Sequence, residues 1–259
     1  MLNFIFCFCV SKTHRRLIIM PKTLILIPSR MAATRLPGKP LLKIGGITII
    51  SRVYQKALET KIGEVFVATE DQEIFDEIVN SGGNSVLTSS QHKTGTDRVF
   101  EAYKKLNLKN IDYILLIQGD EPMIDKNDVI NLNNSVLKNK SKIGTLACKI
   151  KEKSYFNNEN IVKVETEDVL ENKKISKAKN FFRKSMDLKN KNIYHHIGIY
   201  QYNVSVLKKI ISMKQSTNEI KNRLEQLRAM DNNIDIDVVL AKSSSLGIDT
   251  KEDYMEIKN

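Results

Sequence analysis

Thr23 to Lys39 reads TLILIPSRMAATRLPGK. From Thr23 to Ile27 the run is apolar or β-favouring, and it stops at Pro28, which has no N–H to give to a ladder. A short apolar run ended this way is a strand buried on both faces. Ser29 to Lys43 is polar and marked by Gly and Pro, the composition of a loop. Working outward, Ile49, Ile50, Val53, Tyr54 and Ala57 recur at helical spacing and predict a helix over 47–59. Glu64–Thr69 (EVFVAT) is a second strand. A helix over 71–79 follows, with Ile74, Phe75 and Ile78 on one face. Asn84–Thr88 is a short strand, 96–106 a helix, and Tyr113–Gln118 (YILLIQ) the most apolar strand of all. Strand and helix alternate, so the expected fold is α/β, with a mostly parallel sheet and helices on both faces. Ligands bind such sheets beyond the carboxyl ends of the strands. Three of those ends carry polar motifs: PSRMAATRLPGK, ATED and QGDEP.

The second half is less regular. Gly144–Ile150, Ile161–Glu165, Tyr194–Tyr202 (YHHIGIYQY) and Ile234–Val239 read as strands, and 204–211 and 218–230 as helices. Residues 151–192, rich in Lys and Asn, read as an excursion from the sheet and a candidate oligomer contact. No repeat or linker divides residues 20–259, which are expected to form one domain. Residues 1–19 read as an upstream extension. Their apolar run, Leu2–Val10, is too short for a bilayer helix of about 20 residues and has no signal-peptide flanks. No stable membrane span is expected.

The chain has 259 residues, 41% hydrophobic and 27% charged, which excludes a disordered, collagenous or polytopic membrane protein. Its formal charge of +11 favours anionic partners. Cys7, Cys9 and Cys148 form neither a disulfide framework nor a CxxC pair, so a reducing cytoplasm fits. A nucleic-acid-binding protein is the alternative that the charge suggests. The chain shows no RRM, KH, zinc-finger or helix-turn-helix pattern, and no nucleic-acid partner is expected.

Arg30, Arg35 and Lys39 surround Pro37-Gly38 at the end of the first strand. Three cations on a backbone shaped by glycine suit a triphosphate. The run is neither GxGxxG nor GxxxxGK[ST]. Asp120 follows YILLI directly and is placed to hold Mg²⁺, which takes one or two carboxylates plus substrate phosphates. Asp249 in LGIDT could supply a second carboxylate, or cap the helix beginning at Lys251. Thr94-Gly95-Thr96-Asp97-Arg98 opens a helix, either as a plain cap or as a reader of base and ribose. His195 and His196 point to opposite faces of a strand, and His196 shares a face with Tyr200. Glu225, Gln226 and Arg228 read as the polar side of a helix whose Leu224 and Leu227 face the core.

In order, IPSRMAATRLPGKPL, VATED, HKTGTDR, YILLIQGDEP, HIGIYQY, LEQLR and GIDTKEDY resemble the cytidylyltransferases that activate 3-deoxy-manno-octulosonate (Kdo), over residues 22–257. The resemblance implies a nucleotide-diphospho-sugar-transferase-like, Rossmann-like fold and the reaction CTP + Kdo giving CMP-Kdo and pyrophosphate, for lipopolysaccharide synthesis. It implies that Arg30, Arg35 and Lys39 hold the triphosphate and that Asp120 and Asp249 hold Mg²⁺. Arg30, Lys39, Asp120 and Asp249 would be the catalytic set. Thr69, Thr94, Gly95, Thr96, Arg98 and Gln118 would surround the nucleotide. Arg183, His196, Tyr200, Glu225 and Gln226 would hold the sugar acid, and the enzyme would be a homodimer. The sequence departs from the family at Glu70, where Asp is usual, at Phe182, at the run KSMD after Arg183, and at Asn222. All but Glu70 fall on the sugar side, which keeps a cytidylyltransferase for an amino-Kdo or related sugar acid as the alternative.

Overall fold

The computed structural model describes residues 21–32, 35–150, 152, 154–184, 191–242, 247–248 and 250–258. The expectations for residues 1–19 and for Asp249 lie outside them. The strands are β1 (Thr23–Ser29), β2 (Lys43–Ile44), β3 (Ile47–Thr48), β4 (Val65–Thr69), β5 (Ser85–Leu87), β6 (Tyr113–Leu116), β7 (Ile143–Cys148), β8 (Lys163–Thr166), β9 (Ile175–Phe182), β10 (Ile193–Asn203) and β11 (Asp237–Leu240). The helices are α1 (Ile49–Glu59), α2 (Gln72–Asn80), α3 (Gly95–Leu106), α4 (Lys126–Asn139), α5 (Ser154–Asn157), α6 (Leu170–Lys173), α7 (Val204–Ser212), α8 (Thr217–Asn222), α9 (Leu227–Asp231) and α10 (Lys251–Lys258).

β1 lies inside the sheet, parallel to β4 on one side and β6 on the other. Its residues alternate between two apolar cores. Leu24 and Leu26 join α3 and α7 residues such as Val99 and Leu207. Ile25 and Ile27 join Val53, Ile74 and Val129 from α1, α2 and α4. Helices therefore cover both faces, as the unbroken apolar run predicts. Leu24 to Ile27 are fully buried, and each such side chain contributes about 1.5–3 kcal/mol.

The sheet is mixed rather than mostly parallel. Its order is β5-β4-β1-β6-β10-β7-β11-β9-β8, and β10 runs antiparallel to both β6 and β7. An apolar run reports burial on both faces, which a central antiparallel strand shares with a parallel one, so direction was not encoded in that signal. The amino-terminal part of β10 also pairs with β8, which closes β7, β11, β9, β8 and β10 into a ring. The region 151–192 is thus less of an excursion than expected, because β8 and β9 belong to the main sheet.

The helix expected over 218–230 is two short ones. Arg223 adopts a left-handed φ of 55°, ends α8 and turns the chain before α9 starts at Leu227. Glu225 and Gln226 therefore stand on a turn. α10 is capped by Thr250, whose hydroxyl accepts from the Asp253 N–H at 3.2 Å. Among the described residues no helix is long and apolar enough to cross a membrane.

Candidate active site

The loop after β1 turns at Gly38, whose φ of 68° is left-handed and suits a residue without Cβ. Pro40 then sets a single 3₁₀ turn, Lys39–Leu41, and Lys39 is delivered inward, only 9% exposed. Its Nζ donates to Asp120 Oδ2 at 2.7 Å and to the Ile248 carbonyl at 2.7 Å. Asp120 arrives from the end of β6 through Gly119. A Cβ at Gly119 would stand 2.8 Å from the Pro28 carbonyl, so only glycine lets this turn lie against the end of β1. The Ile248 N–H closes the arrangement on the Asp120 carbonyl at 3.0 Å. One ammonium thus ties together three separate chain segments.

Two cavities meet at this pair, and both are lined by Arg35, Gln118, Asp120 and Glu225. The first, about 350 Å³, adds the cations Arg30, Lys39, Lys93 and Arg98. Arg98 is 3% exposed; it contacts Glu70 and donates to Thr88 Oγ1 at 2.6 Å. Arg30 and Lys93 make no ion pair among the described residues, so this cavity keeps uncompensated positive charge at the first turn of α3. That combination favours a polyanion. The second cavity, about 510 Å³, holds Glu121, Asp253 and Glu256 besides the shared carboxylates, against two arginines, Arg35 and Arg223.

On the second wall His196 donates its Nε2–H to Thr145 Oγ1 at 3.0 Å. The Thr145 proton is committed to the Ile199 carbonyl at 2.8 Å, which fixes that tautomer. Burial pushes the His196 ring down to about 3, with His195 adding to the shift, so it is neutral. His195 faces the other way, toward Cys148 Sγ at 3.7 Å, and burial, aided by Lys163, brings it to about 4. His196 and Tyr200 share a face as expected, with ring centroids 5.3 Å apart. A regular strand would separate such residues by about 13 Å. The contact comes instead from a bulge between Ile197 and Tyr200, which places the two opposite Ala147 and Thr145, neighbours on one face of β7. Tyr200 is 7% exposed and lines the cavity, and its Oη has no partner at hydrogen-bond distance. Glu225 is an exposed residue standing where the two cavities meet. Desolvation of its carboxylate pushes its pKa up and Asp97 adds to the rise, against the 2.8 Å hydrogen bond from Thr96 Oγ1.

Most of the sequence-predicted residues converge here. Arg30, Arg35, Lys39, Thr94, Gly95, Arg98, Gln118 and Asp120 line the first cavity; Thr96, His196, Tyr200, Glu225 and Gln226 line the second. Two are elsewhere. Thr69 is fully buried and its hydroxyl accepts from the Asp71 N–H at 3.1 Å, holding the turn after β4. Arg183 lines neither cavity: its guanidinium donates to the carbonyls of Glu159, Asn222 and Arg223 at 3.0, 3.2 and 3.1 Å. Thr94 is the N-cap of α3, with its hydroxyl spent on Asp97. Sequence reasoning passed over Ser29, His92 and Lys93, which line the first cavity. All three belong to motifs that were read, PSR and HKTGTDR, and Ser29 Oγ is buried without a partner.

Among the described residues no cluster of three His, Cys, Asp or Glu is arranged to hold a metal. Asp120 offers a carboxylate beside the cations, one-third exposed, with Oδ2 on Lys39. An oxygen donor at the edge of a polyanion site fits a hard cation that takes its other ligands from phosphate and water.

An α/β sheet with cations at the ends of its parallel strands, beside a second polar cavity, defines a nucleotidyltransferase of the nucleotide-diphospho-sugar-transferase type. The fold is shared with a structure described as 4-diphosphocytidyl-2C-methyl-D-erythritol synthase from Anaerococcus prevotii, at TM-score 0.60 over 92% of this chain and 97% of that one, with 14% identity. The cytidylyltransferase family model matches residues 24–236. The chain belongs to the 3-deoxy-manno-octulosonate cytidylyltransferase family. It is 41% identical over 89% of its length to the enzyme of that name from Thermodesulfovibrio yellowstonii, of which it covers 94%. A structure described as CMP:2-keto-3-deoxy-manno-octonic acid synthetase complexed with CTP superposes with TM-score 0.82 and 32% identity, over 92% of this chain and 97% of that one.

Proposed function

We propose that this chain transfers the cytidylyl group of CTP to Kdo, releasing pyrophosphate and forming CMP-Kdo for lipopolysaccharide synthesis. The observation that carries the reading is the meeting of a cation-rich and an acid-rich cavity at one Lys39–Asp120 pair. CTP occupies the first cavity, with Arg30, Arg35 and Lys39 on its triphosphate and Gln118, Arg98 and the first turn of α3 around the nucleotide. The sugar acid occupies the second, against His196, Tyr200, Glu225 and Gln226. Its 2-hydroxyl oxygen bonds to the α-phosphorus as the bond to the pyrophosphate oxygen breaks on the opposite side. The protein aligns the two and offsets the charge gathering on pyrophosphate.

Mg²⁺ is the expected cofactor, held by Asp120 and, on the sequence motif, Asp249; when bound it would polarise the phosphate and help ionise the attacking hydroxyl. Lys39, donating to Asp120 Oδ2, holds that carboxylate in place for it. We also propose a cytoplasmic homodimer, on the family resemblance, with 151–192 as the contact region. Five carboxylates around the second cavity favour one variation, an amino-substituted Kdo whose ammonium they would neutralise. Pyrophosphate release measured with CTP and Mg²⁺, with no sugar, with Kdo and with an 8-amino-Kdo, separates these readings. Release that requires Kdo supports the first and release only with the amino sugar the second. Silence with every sugar acid from folded protein refutes both.

A further inference from the structure

A sugar acid entering the second cavity brings a carboxylate to a wall that already carries five. It needs a cation there. Arg183, the residue that the family motif offers, is committed elsewhere. Its three hydrogen bonds tie the Glu159 carbonyl to those of Asn222 and Arg223. Its own carbonyl accepts from Lys163 Nζ, which also donates to the carbonyls of Asn158 at 2.6 Å and Ile161 at 2.7 Å. Arg183 and Lys163 together form a strap joining the 158–161 loop to the 222–223 turn. Arg35, shared with the first cavity, donates to Asn160 Oδ1 at 3.4 Å.

Arg223 is different. It lines the second cavity, it is exposed, and its guanidinium makes no hydrogen bond or ion pair with the described residues. Its backbone is fixed at both ends of the turn, by the α8 cap bond from its N–H to the Glu219 carbonyl and by Arg183 on its own carbonyl. Two residues on, Glu225 lines the same cavity. We infer that Arg223 pairs with the carboxylate of the sugar acid, and that Arg183 is a positioning residue that holds Arg223 and the neighbouring turn in place. A guanidinium on a fixed backbone can meet a carboxylate through two parallel N–H bonds, which a lysine cannot reproduce. The inference rests on the cytidylyl transfer proposed above and adds its carboxylate-binding residue.

Steady-state pyrophosphate release would be compared for wild type, Arg223→Gln, Arg223→Lys and Arg183→Gln, with the sugar acid and with its C1 carboxamide. A charge-assisted contact of this kind contributes about 1.5–3 kcal/mol, so Arg223→Gln should raise KM for the sugar acid about 10- to 100-fold. KM for CTP should stay within about twofold, and the preference for acid over carboxamide should vanish. Arg223→Lys should recover part of the affinity. Arg183→Gln should raise KM and lower the melting temperature while keeping that preference. Wild-type KM and preference in Arg223→Gln would overturn the inference, as would loss of the preference in Arg183→Gln alone. In both cases wild-type turnover would leave the reaction itself standing. Absence of turnover in the wild type with any sugar acid would remove the reaction and the inference together.

Discussion

Replacing Lys39 by methionine keeps the side chain's length and apolar stem and removes its charge. The loss has two separable consequences. Asp120 loses its cation partner. Breaking a fully buried pair costs about 3–5 kcal/mol, but the Asp120 side chain is 33% exposed, so about 1–3 kcal/mol is expected. In a chain of this size that lowers the melting temperature by about 2–10 °C. The triphosphate also loses a fixed charge where negative charge gathers as pyrophosphate leaves, worth about 10²- to 10³-fold in kcat. Pyrophosphate release at 25 °C with saturating substrates, beside thermal unfolding of the same samples, reads both. The double variant Lys39→Met/Asp120→Asn separates them further, because it removes the stranded carboxylate. Its melting temperature should return toward wild type while its activity stays lost. A Lys39→Met enzyme within about threefold of wild-type kcat, with the lowered melting temperature, would refute the catalytic argument and leave Lys39 a structural tie.

His195 and His196 have pKa values near 4 and 3, below the ordinary 6.5, so from pH 6.5 down to about 4 the unfolded chain takes up protons that the folded chain refuses. Stability should fall with pH by up to about 1.4 kcal/mol per unit for each ring. Urea midpoints at pH 7 and pH 5 should show the loss, and His196→Phe should remove about half of it. Gly119→Ala drives a methyl toward the Pro28 carbonyl and shifts Asp120; activity should drop at least tenfold with a smaller change in melting temperature, and an unchanged kcat would count against this packing. Glu70→Ala strands the buried Arg98. Thr88 and Ser89 still accept from Arg98, so a loss of about 2–4 kcal/mol is expected from chemical denaturation, and a loss below 0.5 would show the pair to be dispensable. Tyr200→Phe deletes a hydroxyl that has no partner, so the free enzyme should keep its stability while KM for the sugar acid rises several-fold; an unchanged KM would place Tyr200 outside the sugar site.

Most of the first half of the fold was legible because burial there has a simple period. The runs at 23–27, 64–69 and 113–118 lie at β1, β4 and β6, and the first and last of them end at the site. Where two signals compete, the reading failed for identifiable reasons. α4 was missed because its sequence, KNDVINLNNSVLKN, is rich in Asn, a poor helix former, although Val129, Leu132 and Val136 keep helical spacing and Asp125 caps its start. The 218–230 helix was overextended because Leu224 and Leu227 fit its period, while the left-handed Arg223 leaves no mark in composition. β9 alternates buried and exposed residues only weakly, and its lysines hide the strand period. At the site, motif order identified the residues that converge, but not how they are used. The same guanidinium can grip a ligand or three carbonyls, and only the structure shows Arg183 doing the latter.

The central claim is that two cavities joined at Lys39–Asp120 bring CTP and a sugar acid together for transfer. The most direct test is to incubate the protein with CTP, Mg²⁺ and Kdo and to follow the products by ³¹P NMR. The account predicts a phosphodiester signal of a CMP–sugar acid growing in step with pyrophosphate, and neither signal with Asp120→Ala. Pyrophosphate with CMP alone, or a CMP–sugar acid formed equally well by Asp120→Ala, would contradict it.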